Sequence, residues 1–245
     1  MHAARREKLN IVMLSKDPHL LFSRVGSFQK RNAKVRIEAC LSFPDVRVGI
    51  FPAEGGGIRP AGRGGRVAAA VEALTGTFSP CIVSLDGKSL PERIVRVLAA
   101  RKMTLACAES CTGGTIANLV TMVPGSSKAF LAGIVAYDNE VKERLLGVKA
   151  ETLARRGAVS AQVVGEMLAG AQRAAGASCA IATSGIAGPT GATAGKPVGL
   201  VCIGAAAGGR RVIKKHWLAA MDRGSVKMLS AQLALKLLLD MLEKK

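Results

Sequence analysis

"MTLACAESCTGGTIANLV", residues 103–120, passes from an apolar segment through a small polar turn into a second apolar segment. Its first part, "MTLACA" (103–108), is a short unbroken apolar run bounded by turn residues and reads as a buried strand. "ESCTGG" (109–114) turns the chain, and the pattern predicts a helix from about Thr112 to Met122. A buried strand feeding a helix through a tight turn is the building unit of α/β folds. Ser110 stands in that turn. It is either the helix N-cap, the usual use of serine there, or a nucleophile displayed at the strand end.

The same alternation continues outward. Before the strand, "SLPERIVRVLAARK" (89–102) has Ser89 and Glu92 at capping-box spacing, Pro91 in the first turn, and Ile94, Val97 and Leu98 on one face. After the turn come a strand "FLAGIVAY" (130–137), a helix "NEVKERLLG" ended by Gly147, and a longer helix "SAQVVGEMLAGAQRAAG" (160–176). Strands "SCAIAT" (178–183), "VGLVCIGAA" (198–206) and "VIKKHWL" (212–218) follow, then a helix from Gly224 to Leu242 capped near Asp222. This order predicts an α/β domain over 88–245, a three-layer α/β/α sandwich with a mostly parallel or mixed sheet. The last three strands stand close enough in sequence for part of that sheet to be antiparallel.

Residues 1–87 read differently, as a small α+β, linker-like region that is partly irregular. "KVRIEACLS" (34–42) and "DVRVGIF" (45–51) suggest two short strands joined around Pro44, and "VAAAVEALTG" (67–76) a helix stopped by Gly76. The Gly/Arg-rich "EGGGIRPAGRGGR" (54–66) reads as a flexible loop or linker.

The 245 residues are 49% hydrophobic, enough for a real core, but only 3% aromatic. A net charge of +18 raises nucleic-acid binding. The charge is spread along the chain, however, and few aromatics are present to stack on bases. Nucleic acid is therefore not the expected partner, and an anionic small molecule suits the charge as well. The six cysteines form no CxxC pair and read as reduced, mostly buried side chains. No signal-peptide pattern and no run of 18 apolar residues occurs. A cytoplasmic protein without membrane contact is expected.

In an α/β sheet ligands bind at the strand ends, and three turns there combine glycines with polar groups: "ESCTGG", "YDNEVK" (137–142) and "TSGIAGPTGATAGKPVG" (183–199). Gly113 and Gly114 let a substrate approach the backbone, and free N–H groups of the following helix could hold a phosphate or an oxyanion. The three histidines are poorly placed to serve Ser110. The other solution is a lysine whose amine is neutral; Lys142 qualifies if it is buried, and is otherwise a solvated helix lysine. The third turn lacks Walker A spacing and is either a phosphate- or ribose-binding loop, with Thr183 and Ser184 as donors, or a structural one. No Cys/His/Asp cluster has metal-ligand spacing, so no metal is expected.

"AESCTGG", "PGSSKAFLAGIVAYDNEVKERLLGV", "GAVS", "SGIAGPTG" and "KPVG" resemble, in this order, the C-terminal domain of the CinA family, the nicotinamide-nucleotide amidases. The resemblance covers about Asp86 to Leu242. It implies hydrolysis of nicotinamide mononucleotide to nicotinate mononucleotide and ammonia, without metal or organic cofactor. It makes Ser110 the nucleophile, with Tyr137 and Lys142 assisting. Thr112, Gly113, Gly114, Ser184 and Gly185 would border the substrate, and Arg223, in "MDRG", would help hold its phosphate. "FPDVRVGI" and "DGKSLPERIV" resemble the linker domain and junction of longer relatives. Two departures stand out: Ala192 where a second glycine is commoner, and Asp138 in place of a common serine. A carboxylate close to Lys142 would keep it protonated. A homo-oligomer is expected. The rival readings are a hydrolase acting on another small amide and a non-catalytic nucleotide-binding or competence-related interaction module.

Overall fold

The computed structural model describes residues 9–31, 35–52 and 66–243. The chain divides into two units, Met1–Ser89 and Leu90–Lys245. The first is built as β1 (Leu9–Leu14), α1 (Pro18–Arg31), β2 (Val35–Ser42), β3 (Asp45–Pro52), α2 (Arg66–Phe78) and β4 (Ile82–Ser84). Its sheet has the order β2-β3-β1-β4 with every pairing antiparallel, the split βαβ arrangement of ferredoxin-like domains. Val35 and Ile37 of β2 alternate with exposed residues and join Ile11, Met13, Val46, Val48 and Ile50 against Leu21, Val25, Leu74 and Phe78.

This unit corrects the expectation of a partly irregular region. The hairpin around Pro44 is present, but β1, α1 and β4 were not foreseen. "LNIVML" (9–14) has no alternation to mark it, because Ile11 to Leu14 are all buried. Gly76 does not stop α2; a Cβ there would meet nothing, and Phe78 carries the helix on by packing edge-on against Phe28 at 6.0 Å. Of the Gly/Arg-rich stretch, residues 54–65 lie outside the described residues and Arg66 opens α2.

The second unit holds α3 (Leu90–Ala100), β5 (Leu105–Glu109), α4 (Thr115–Thr121), β6 (Phe130–Val135), α5 (Asn139–Leu146), α6 (Ala150–Arg156), α7 (Ala161–Ala175), β7 (Cys179–Gly185), β8 (Leu200–Ala207), β9 (Arg210–Trp217) and α8 (Arg223–Glu243). The sheet order is β6-β5-β7-β8-β9. β6, β5 and β7 are parallel, whereas β8 is antiparallel to both β7 and β9. The fold is thus an α/β sandwich with a mixed sheet.

Small residues let the layers close. Ala106, Ala108, Ala180 and Ala182 line one face of the central strands, where Val163, Val164, Met167 and Leu168 of α7 and Leu146 of α5 cover them. The other face receives α8, with α3 and α4 beside it. α8 is buried almost all round, from Val226 to Leu242. Gly170 is essential to the α5–α7 contact: a Cβ there would lie 2.0 Å from the Leu146 carbonyl oxygen. Among the described residues no helix is long and apolar enough to cross a membrane.

Candidate active site

Because β5, β6, β7 and β9 run the same way, their C-terminal ends share one edge of the sheet. The Ser110 amide donates to the Thr183 carbonyl oxygen (3.0 Å), and the Ala136 amide to that of Glu109 (2.9 Å). The turns after β5, β6 and β7 are thereby tied together.

Ser110 is not a helix cap. α4 starts at Thr115, three residues later than the pattern predicted, and Gly114 is its N-cap. Gly113 and Gly114 both take left-handed backbone, at φ +56° and +89°, which delays the helix and leaves Ser110 displayed on the turn. Ser110 is 8% exposed, and its hydroxyl bonds to no described residue. The adjacent Cys111 thiol is pushed up to about 12, chiefly by burial, and stays protonated.

The helix N-terminus is not open to a ligand, contrary to the expectation. Glu109, fully buried at the end of β5, accepts from the amides of Ile116 (3.1 Å) and Ala117 (2.9 Å). The Thr115 amide goes to Thr112, and the Gly113 amide to the Ser110 carbonyl oxygen. Thr112 is fully buried as well, its hydroxyl 2.7 Å from that of Thr183. That assigns Thr112 to holding the turn, not to facing a substrate. The Gly114 amide is left without a partner among the described residues.

Lys142 is 1% exposed and is the largest fully buried side chain among the described residues. Asp138 caps α5, its carboxylate accepting the Glu140 amide at 2.8 Å, as a serine would. The lysine amine donates to the carbonyl oxygens of Tyr137 (2.8 Å) and Asp138 (3.3 Å). Burial lowers its pKa from the ordinary 10.5; the charge of Asp138 acts in the opposite sense and does not overcome it. Lys142 and Ser110 make no hydrogen bond with each other.

The phenol of Tyr137 is 60% exposed and turned elsewhere: its oxygen accepts from Arg223 Nη2 at 2.9 Å. Arg223 Nη1 donates to the Gly188 carbonyl oxygen at 2.8 Å, joining the third turn to the second. Ser184 donates to the Ala158 carbonyl oxygen at 2.8 Å, and Lys196 to that of Arg156 at 2.6 Å. Gly185 is packed under Leu200 and Val201, where a Cβ would come within 2.8 Å of a backbone oxygen. Ala192 is exposed at the tip of the loop. Among the described residues no three His, Cys, Asp or Glu side chains cluster as metal ligands would.

Three participants escaped the sequence reading: Glu109, Thr183 as the partner of Thr112, and Lys227, whose amine reaches the Gly113 turn. The signal for Lys227 was a basic residue four places after Arg223, at helical spacing. A shallow cleft lined by Leu168, Gln172, Ala206 and Arg210 opens at the opposite end of the sheet, away from all these groups.

The CinA C-terminal domain family matches residues 87–242. A CinA-like protein of Desulforapulum autotrophicum is 40% identical over 196 residues, 79% of this chain and 45% of that protein. The chain therefore spans less than half the length of that curated relative. A competence-damaged protein (CinA) superfamily protein from Klebsiella pneumoniae has a similar structure: TM-score 0.60, 36% identity, 62% of this chain and 95% of that one. So does a competence/damage inducible protein from Agrobacterium tumefaciens, at TM-score 0.59 and 35% identity, covering 64% of this chain and 98% of that one.

Proposed function

The chain belongs to the CinA C-terminal domain family, and within it we propose that it hydrolyses the carboxamide of nicotinamide mononucleotide to nicotinate mononucleotide and ammonia. One observation carries this reading: a lysine amine, buried and held only by backbone carbonyls, on the helix that follows a strand adjoining the Ser110 turn. Few buried lysines lack a carboxylate partner, and burial without one favours the neutral amine that a base requires.

In this mechanism Ser110 Oγ attacks the carboxamide carbon and passes its proton to Lys142 Nζ, which gives up its longer bond, to the Asp138 carbonyl. The unpartnered Gly114 amide is the available donor for the oxyanion. The carbon–nitrogen bond breaks, and the amine returns the proton to the departing ammonia. Water then adds to the acyl ester, restoring the serine hydroxyl and releasing the carboxylate. Tyr137 serves as the orienting partner of Arg223, which meets the phosphate.

Ammonia release from nicotinamide mononucleotide tests this. Ser110→Ala abolishes it while the variant keeps the wild-type unfolding midpoint; full activity in that variant ends the mechanism. The missing Ser110–Lys142 hydrogen bond favours a second reading, a non-catalytic nucleotide-binding or competence-related module. Binding of the mononucleotide by the wild type with no ammonia released would select it.

A further inference from the structure

We propose that β6 is the seam of a twofold dimer: two copies of this chain join antiparallel along this edge strand, centred on Gly133, and Lys128 of the partner subunit meets Asp138. The dimer stands apart from the amidase reading; only its effect on ammonia release rests on that reading.

β6 has a strand on one side only. The Ala136 amide donates inward, to the Glu109 carbonyl oxygen. Backbone groups alternate in direction along a strand, so those of Gly133 and Val135 point to the open edge. The register shift against β5 lies before Ala132, which leaves Gly133 to Val135 as regular strand.

The two edges of this sheet differ in charge. β9 carries Arg210, Arg211, Lys214 and Lys215, the usual guard against edge-to-edge pairing. "AFLAGIVAY" (129–137) carries no charge in a chain of net +18. Leu131 and Val135 stand along it 48% and 46% exposed.

The occupant that fits is a second copy, because a twofold at Gly133 makes the edge complementary to itself. The two glycines exchange their backbone bonds, and Val135 of each copy comes to Leu131 of the other. Gly133 adds no bulk to the seam; a Cβ there would lie 2.7 Å from that of Ala117. Farther out, the same register carries Lys128, exposed on the turn before β6, to the turn after β6 of the other copy, where Asp138 stands. Opposite charges thus meet at both ends of the seam. Asp138 spends Oδ1 on the Glu140 amide, and its Oδ2 makes no bond among the described residues. An unrelated extended peptide supplies the backbone bonds without this match of apolar centre and charged ends.

Pairing also reaches the chemistry. The charge of Asp138 works against the neutral form of Lys142, and an ammonium on Asp138 offsets it.

Sedimentation of the full chain at micromolar concentration should give a dimer for wild type and a monomer for Val135→Lys, with the same far-UV circular dichroism. Lys128→Glu should raise the dissociation constant about 5- to 30-fold, as two ion pairs become like-charge contacts. Register is read with Ala132→Cys/Ile134→Cys. Pairing about Gly133 sets 132 opposite 134 of the other copy, about 4.5 Å between Cα atoms and within disulfide reach. Diamide, as oxidant, should cross-link the double variant through these residues, identified by mass spectrometry, and neither single variant. A monomeric wild type, a dimer that persists in Val135→Lys, or a double variant without the 132–134 cross-link overturns the seam. Within the cross-linked background, Lys128→Glu should lower kcat/KM for ammonia release several-fold; an unchanged value removes the effect on Lys142 and leaves the seam. Should wild type release no ammonia, the amidase reading fails alone, and sedimentation and cross-linking still decide the dimer.

Discussion

The amine of Lys142 donates to the carbonyl oxygen of Tyr137 at 2.8 Å, so the lysine is held by the backbone of the turn before its own helix and by no carboxylate. Asp138, one helical turn before it, spends its carboxylate on the Glu140 amide. The substitution of aspartate for the commoner serine therefore keeps the cap of α5, and its charge opposes the effect of burial without reversing it.

A lysine whose folded pKa lies below 10.5 binds fewer protons than its unfolded counterpart between those two values. Folding stability contributed by the residue therefore rises with pH across that window. Relative to Lys142→Met, wild type is expected to gain stability as pH climbs toward 10.5, measured by urea unfolding at several pH values. Ammonia release should vanish in Lys142→Met, and the rising limb of the wild-type kcat/KM profile should lie below the ordinary lysine pKa. A rising limb at or above the unperturbed value would mean that another group is the base.

Glu109 is expected to matter more for the fold than an acid beside a candidate nucleophile suggests. Glu109→Ala leaves two buried amides of α4 without acceptors and should cost about 2–4 kcal/mol. Glu109→Gln retains one acceptor and should cost about half as much. Denaturant midpoints measure the loss, and hydrogen exchange at Ile116 and Ala117 locates it.

Gly113→Ala forces a Cβ into left-handed backbone at φ +56°, a strain of about 1–2 kcal/mol. The Lys227 amine, 3.3 Å from the new atom, can swing away at little cost, so the loss should not exceed that range. Wild-type stability in this variant would show that the turn reaches another conformation without strain.

Tyr137→Phe separates two roles for the phenol. As a proton relay its loss would lower kcat by 100-fold or more. As the orienting partner of Arg223, which the 2.9 Å contact supports, its loss should raise KM several-fold and leave kcat within about threefold. Steady-state kinetics on nicotinamide mononucleotide separate the outcomes.

What could be read without coordinates was the part governed by near neighbours in the chain. The strand–turn–helix at 103–120, the Asp222 cap and the stop at Gly147 all rest on contacts a few residues apart. Such contacts leave a period or a cap in the letters. β1 left none, because buried packing on successive residues erases its alternation. The candidate site shows the same division. Ser110, Lys142 and Arg223 were named from their motifs, but which groups serve them was settled by parallel strand register. That register puts Thr183 beside Glu109 and leads the chain to Arg223 beside Tyr137 and Lys227 beside Gly113, across separations of 74, 86 and 114 residues. Acids and amines look alike in a sequence wherever they stand. Burial and distance, properties of the folded chain, make Glu109 a cap and Lys142 a candidate base, and bring Lys227 to the Gly113 turn.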